Sequence, residues 1–149
     1  MLEEIIRQDK EIFLFLNRLG TQTWDGFWLF ITHKLSAIPL YALLLFLTFK
    51  HFGTKRTLIV LVSVVLLITA TDQLANFFKY GVQRLRPCHD EDINMMARLV
   101  KKSCGGKFGY FSAHASNAMA LACFFSMLLG SRMKYLAMFL IVWAILVGY

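Results

Sequence analysis

Residues 57–78, TLIVLVSVVLLITATDQLANFF, form an apolar run long enough to cross about 30 Å of hydrocarbon as one helix. In water such a helix would have to be wrapped by other chain, and 149 residues leave little to wrap it with. Hydrophobic residues make up 58% of the sequence, above the roughly 45–50% of soluble domains. Part of that surface must therefore face lipid. Three further apolar segments, at 36–49, 113–130 and 135–149, can join it. The expected fold is all-α: an integral membrane bundle with about four transmembrane helices. Residues 2–19 place Leu2, Ile5, Ile6, Ile12, Phe13, Leu16 and Leu19 mostly three or four apart, with charges between, and Gly20 follows. That is the pattern of a helix lying in the membrane interface. Residues 22–33 read as a second short surface helix, with Trp24 and Trp28 at a depth that suits them and His33-Lys34 interrupting the apolar run. One domain is expected over 1–149, with interfacial helices at 1–33 and a transmembrane core at 34–149. No repeat, low-complexity stretch or cleavable signal is evident.

The net charge of +7 matters mainly by location. The short loops at 50–56 (KHFGTKR) and 131–134 (SRMK) carry five Lys/Arg and no acid, which places both in the cytoplasm. The loop at 79–111 then faces outward, although it holds seven Lys/Arg against three acids. No basic stripe interleaved with aromatics lies on a soluble face, so nucleic acid is not an expected partner and the bilayer is. Cys88 and Cys104 flank the outward loop, whereas Cys123 lies in an apolar run. In an oxidising compartment the first two can pair; otherwise both are free thiols.

The segment KYGVQRLRPC (79–88) closes the longest apolar run with Lys79, Arg84 and Arg86 and no acid within it. Asp72, Asn76, Lys79, Gln83 and Arg86 step by four and three, so on a continuing helix they form one polar stripe. Polar groups in a span usually face the bundle interior or a wet cavity. Pro87 disfavours helix at Arg86, which predicts that the helix ends there. Lys79 and Arg86 then either snorkel to headgroups or converge on one anion, the Arg as a planar fork and the Lys as a mobile point charge. Residues 109–117, GYFSAHASN, open the next apolar run from the same side. Ser112 is a candidate N-cap and His114 falls in the first turn. A helix start attracts phosphate, the glycines at 105, 106 and 109 permit a close approach, and His114 is a candidate proton donor. The alternative is an ordinary cap beside an interfacial histidine.

Together these pieces resemble the type 2 phosphatidic acid phosphatase family of membrane enzymes, from about residue 9 to the end. The family's first motif is Lys, six residues, Arg-Pro, and here Lys79 precedes Arg86-Pro87 by that interval. Its second motif, Pro-Ser-Gly-His, corresponds to Phe111-Ser112-Ala113-His114, with Pro and Gly replaced. Its third motif, Ser-Arg, five residues, His, three residues, Asp, commonly follows a span ending in Gly-Tyr. This chain ends at Gly148-Tyr149, and His33, His51 and His89 do not fit the missing nucleophile's place. The resemblance implies metal-free, cofactor-free hydrolysis of a phosphorylated membrane lipid through a phosphohistidine. Lys79, Arg86 and Ser112 would bind the phosphate and His114 would protonate the leaving oxygen. It also implies a multi-pass protein of the bacterial inner membrane with its site facing outward, and a fragment inactive by itself. A lipid-phosphate-binding protein without catalysis is the alternative. The soluble haloperoxidases share the family's core, but four lipid-length segments argue against that branch. Which lipid phosphate is bound, and the oligomeric state, stay open at this level.

Overall fold

The computed structural model describes residues 2–33, 35–101 and 104–149; Lys34 and the side chain of Leu2, both invoked above, lie outside what is described. The elements are helical: α1 (Leu2–Arg18), α2 (Gln22–Ile31), α3 (Ile38–Val82), α4 (Ala113–Leu129) and α5 (Lys134–Gly148). Two expected segments, 36–49 and 57–78, are merged in α3. The intervening 50–56 is helical rather than a loop, apart from Gly53 at φ 73° and ψ 176°. A single left-handed residue redirects the chain, and glycine adopts that φ without a Cβ penalty. Thr57 Oγ1 donates back to the Gly53 carbonyl at 2.9 Å, tying the second arm to the break.

Both arms of α3 enter one core. Leu44 from the first arm and Val60 from the second are buried with Ala118, Leu121, Ala122, Phe125 and Leu129 of α4 and Leu140, Ala144 and Val147 of α5. The alanines let helix backbones approach closely, as in packed membrane helices. On the second arm Thr57, Val60 and Ala75 are buried on one face. The other face carries Ile59, Val62, Val65 and Leu66, which are 60–66% exposed. An apolar face this bare suits hydrocarbon and not water. Hydroxyls on the helix are satisfied by its own backbone: Thr48 by Leu44 O (2.7 Å), Ser63 by Ile59 O (2.9 Å) and Thr69 by Val65 O (2.8 Å). Among the described residues α3 is the one helix long and apolar enough to cross a membrane by length and composition; α4 and α5 are apolar but shorter.

The Gly53 break and the turn between α4 and α5 lie at the same end, where the Arg132 guanidinium sits 5.1 Å from the centre of the Phe52 ring. The end of α3, the start of α4 and the end of α5 gather at the other. There α1 and α2 are tied to the long loop by charge. Lys10 bonds Asp90 (2.9 Å) and Asp92 (2.6 Å), Arg98 bonds Asp25 (2.5 Å), and Arg84 pairs with Asp9. Asn17 also exchanges two hydrogen bonds with the Arg98 backbone, at 3.0 and 2.7 Å. So α1 does more than float at an interface: its polar side grips the loop while Ile5, Ile12 and Phe15 stay exposed.

The clasp is pH-sensitive at both extremes. Its bond from the Lys10 ammonium holds the Asp90 carboxyl below the usual carboxylate range, against a smaller opposing push from burial. Bonds to Asp92 and then Asp90 raise Lys10 above the usual ammonium range. The Asp90 contribution is full above the ordinary carboxylate pKa and lost as pH falls through the lowered value. The Lys10 contribution is full below the ordinary lysine pKa and lost as pH rises through the raised value. Hydrogen exchange of α1 amides should therefore be slowest around neutral pH, after correction for intrinsic rates. It should accelerate below the carboxylate range, and Lys10→Met should accelerate it at neutral pH; equal protection in that variant would remove the clasp.

Candidate active site

The long loop returns to α4 through a short pairing. Leu85 and Phe108 form an isolated antiparallel bridge, with the Arg86 N–H donating to Lys107 O (3.1 Å) and the Gly109 N–H to Arg84 O (2.8 Å). This geometry revises the helical stripe. α3 ends at Val82, and Gln83 turns left-handed at φ 54°. Gln83 and Arg86 therefore do not continue the row of Asp72, Asn76 and Lys79. The chain leaves the helix earlier than Pro87 alone predicts, because residues 84–86 make their backbone bonds with 107–109 instead of with α3.

Pairing aims the Arg86 side chain back across the returning loop. Its Nη1 donates to Cys104 O at 2.9 Å and its Nε to Phe108 O at 3.2 Å. The neighbouring glycines are small for that reason: a Cβ on Gly105 would stand 2.8 Å from Arg86 Nη1, and one on Gly109 2.8 Å from Arg86 Cγ. Gly105 also holds φ 76°. Glycine spacing expected to admit an anion thus admits the arginine itself, while a Cβ on Gly106 would meet nothing within 4 Å. Cys88 and Cys104 are joined in a disulfide, Cα atoms 6.2 Å apart. Cys88, His89 and Cys104 offer metal-ligand atoms within 4.8 Å of one another, but the disulfide occupies both sulfurs.

Lys79, Arg86, Ser112 and His114 all line one cavity of about 970 Å³. Lys79 comes from the last turn of α3, Arg86 from the bridge, and Ser112 and His114 from the start of α4. Phe13, Asn17, Asp25 and Trp28 of α1 and α2 cover it, and Gly148 and Tyr149 at the end of α5 reach its edge. Ser112 is the N-cap, its Oγ accepting from the Ala115 N–H at 3.2 Å. The positive end of the α4 dipole therefore meets the cavity. Behind it, Thr71 donates to Asn117 Oδ1 and Asn117 Nδ2 donates to Asp72 Oδ1 at 2.8 Å, locking α3 to α4 one turn from His114. Aromatic contacts close another wall: Phe78 stacks on Tyr110 with centroids 5.4 Å apart, and Trp28 meets Tyr149 at 4.8 Å.

Charge pairing separates the cavity's five cations, Lys10, Lys79, Arg84, Arg86 and Arg98. Lys10, Arg84 and Arg98 are paired with carboxylates. Among the described residues, Lys79 and Arg86 have no ion pair. No acid lies within 79–88, and Arg84 pairs not with the nearby Asp90 but with Asp9, 75 residues away. No local pattern points to that partner. Asn117 did have a signal: a polar group in an apolar run, three residues beyond His114. Two half-buried cations with no ion pair among the described residues thus line the cavity that the start of α4 also lines.

Overpacking a fitted position costs about 1–3 kcal/mol. Gly109→Ala should thus lower detergent-phase thermal stability by that order by pushing on Arg86 Cγ, while Gly106→Ala should leave it nearly unchanged. Equal effects of the two would mean that Arg86 does not fill the space beside Gly109.

Residues 57–149 match the PAP2 superfamily. The chain is 35% identical over 151 aligned positions to a lipid A 4'-phosphatase of Bacteroides thetaiotaomicron, covering all of this chain and 66% of that protein. It is 33% identical over 126 positions to a lipid A 4'-phosphatase of Porphyromonas gingivalis, covering 84% of this chain and 53% of that one. The chain thus spans about half to two thirds the length of these relatives. No solved structure matches it.

Proposed function

The chain belongs to the PAP2 superfamily, and on that premise we propose that it carries the phosphate-gripping half of a membrane lipid phosphatase. The observation that carries this reading is the shared cavity: Lys79, Arg86, Ser112 and His114 line it, and its two cations without ion pairs are the two of the family's first motif. Arg86, its fork oriented by two carbonyl bonds, and Lys79 hold the phosphoryl oxygens from two elements. The start of α4 adds its dipole, and His114 hands a proton to the leaving oxygen. No metal is needed for these roles.

In this reading the nucleophile is the histidine of the family's third motif, Ser-Arg-x5-His-x3-Asp, which the 149 residues do not contain. Gly148 and Tyr149 at the end of α5 line the same cavity. In-line attack would form a phosphohistidine that water then opens. The two arms of α3 with α4 and α5 would be the membrane bundle, with α1 and α2 at its surface. The Cys88–Cys104 disulfide and the cationic turns at the far end support a site facing away from the cytoplasm. The names of the two relatives favour a lipid A phosphate as substrate.

Two measurements test this. In phosphatidylcholine nanodiscs containing phosphatidic acid or phosphorylated lipid A, Lys79→Ala and Arg86→Ala should each weaken lipid-phosphate binding by about tenfold or more, the scale of a charge-assisted hydrogen bond. Unchanged binding would reduce both cations to membrane anchors. The 149-residue chain should release no phosphate above its His114→Ala variant, and robust release would overturn the phosphohistidine route.

A further inference from the structure

The disulfide lies beside the one side chain that the phosphate site most needs oriented. Cys88 is two residues after Arg86, and Cys104 supplies the carbonyl that receives Arg86 Nη1 at 2.9 Å. Arg86 is therefore braced on two sides. On one, the Leu85–Phe108 bridge fixes its backbone and presents Phe108 O to its Nε. On the other, Cys104 O is held in reach by a covalent bond across 16 residues of loop. Among the described residues the backbone bonds between these two stretches join 84 and 86 with 107 and 109, and none fixes residue 104. Gly105, at φ 76° and next to Nη1, adds no stiffness of its own.

We propose that the Cys88–Cys104 disulfide is a positioning element of the phosphate site, making the grip of Arg86 depend on an oxidising environment. This rests on the reading that Arg86 holds the lipid phosphate. The chemistry is a thiol–disulfide exchange. A dithiol reductant attacks one sulfur as its thiolate, and a mixed disulfide forms. The reductant's second thiol closes its own disulfide, leaving Cys88 and Cys104 as two thiols. Two electrons and two protons pass from the reductant to the protein. The Cys104 carbonyl then drifts, Nη1 loses its acceptor, and the guanidinium keeps the Nε bond on the bridge side. The site is loosened, not abolished.

The test uses the 149-residue chain in phosphatidylcholine nanodiscs carrying phosphatidic acid, oxidised or reduced with dithiothreitol. Reduction should weaken lipid-phosphate binding about fivefold in the unmodified chain and in Lys79→Ala. It should have no further effect in Arg86→Ala, because the two changes act through one group. The paired variant Cys88→Ser/Cys104→Ser should match the reduced protein and ignore reductant, with helix content by circular dichroism unchanged. If reduction leaves binding intact while Arg86→Ala weakens it, the positioning role is wrong and the phosphate site stands. An equal reduction effect in Arg86→Ala, or a loss of helix on reduction, would make the disulfide a general staple. If Arg86→Ala itself changes nothing, the phosphate-site reading fails first.

Discussion

Arg86 is held by the backbone of a segment that reaches it only after a long excursion of the chain. Its own N–H, its Nε and its Nη1 all end on carbonyls between Cys104 and Phe108. A guanidinium cannot shed its charge at ordinary pH and presents donors in a fixed plane. Two donors occupied by fixed acceptors set the plane for the rest. The last turn of α3, the bridge and the cap of α4 are brought together around that one side chain. Bulk at Gly105 or Gly109 would contest its space directly.

The rest of the molecule keeps this polar end attached to an apolar one. Small residues on α4 and α5 let the helices close on each other, and α3 packs both its arms against them. The Thr48, Ser63 and Thr69 hydroxyls of α3 bond back to their own helix, so those groups are satisfied without a partner from outside. One cross-helix polar link, Thr71–Asn117–Asp72, sits close to the site and registers α3 against α4. Desolvated polar groups are costly unless paired, so a satisfied link of this kind favours one register over its neighbours.

Electrostatics then sorts groups that look alike in sequence. Arg84 and Arg86 are two residues apart, yet one meets Asp9 and the other meets carbonyls. The paired cations fasten α1 and α2 over the cavity. Lys79 and Arg86, which line the same cavity, have no ion pair among the described residues.

Helical character, the rough place of the apolar segments, the cap at Ser112 and the spacing of Lys79 from Arg86 were legible because each is local. They depend on periodicity, on a few adjacent residues or on a short motif. The single break at Gly53, the early end of α3 at Val82, the use of glycines to seat Arg86 and the Asp9–Arg84 and Asp25–Arg98 pairs were not. Each is decided by a partner distant in the chain, and one-dimensional order carries no record of which distant groups meet. The sequence by itself determined that this chain places its cations outside the apolar runs, at their ends, because hydrocarbon will not take them. Only the tertiary structure decided which of the cavity's cations have no carboxylate partner among the described residues, because that depends on where distant acids such as Asp9 and Asp25 come to rest.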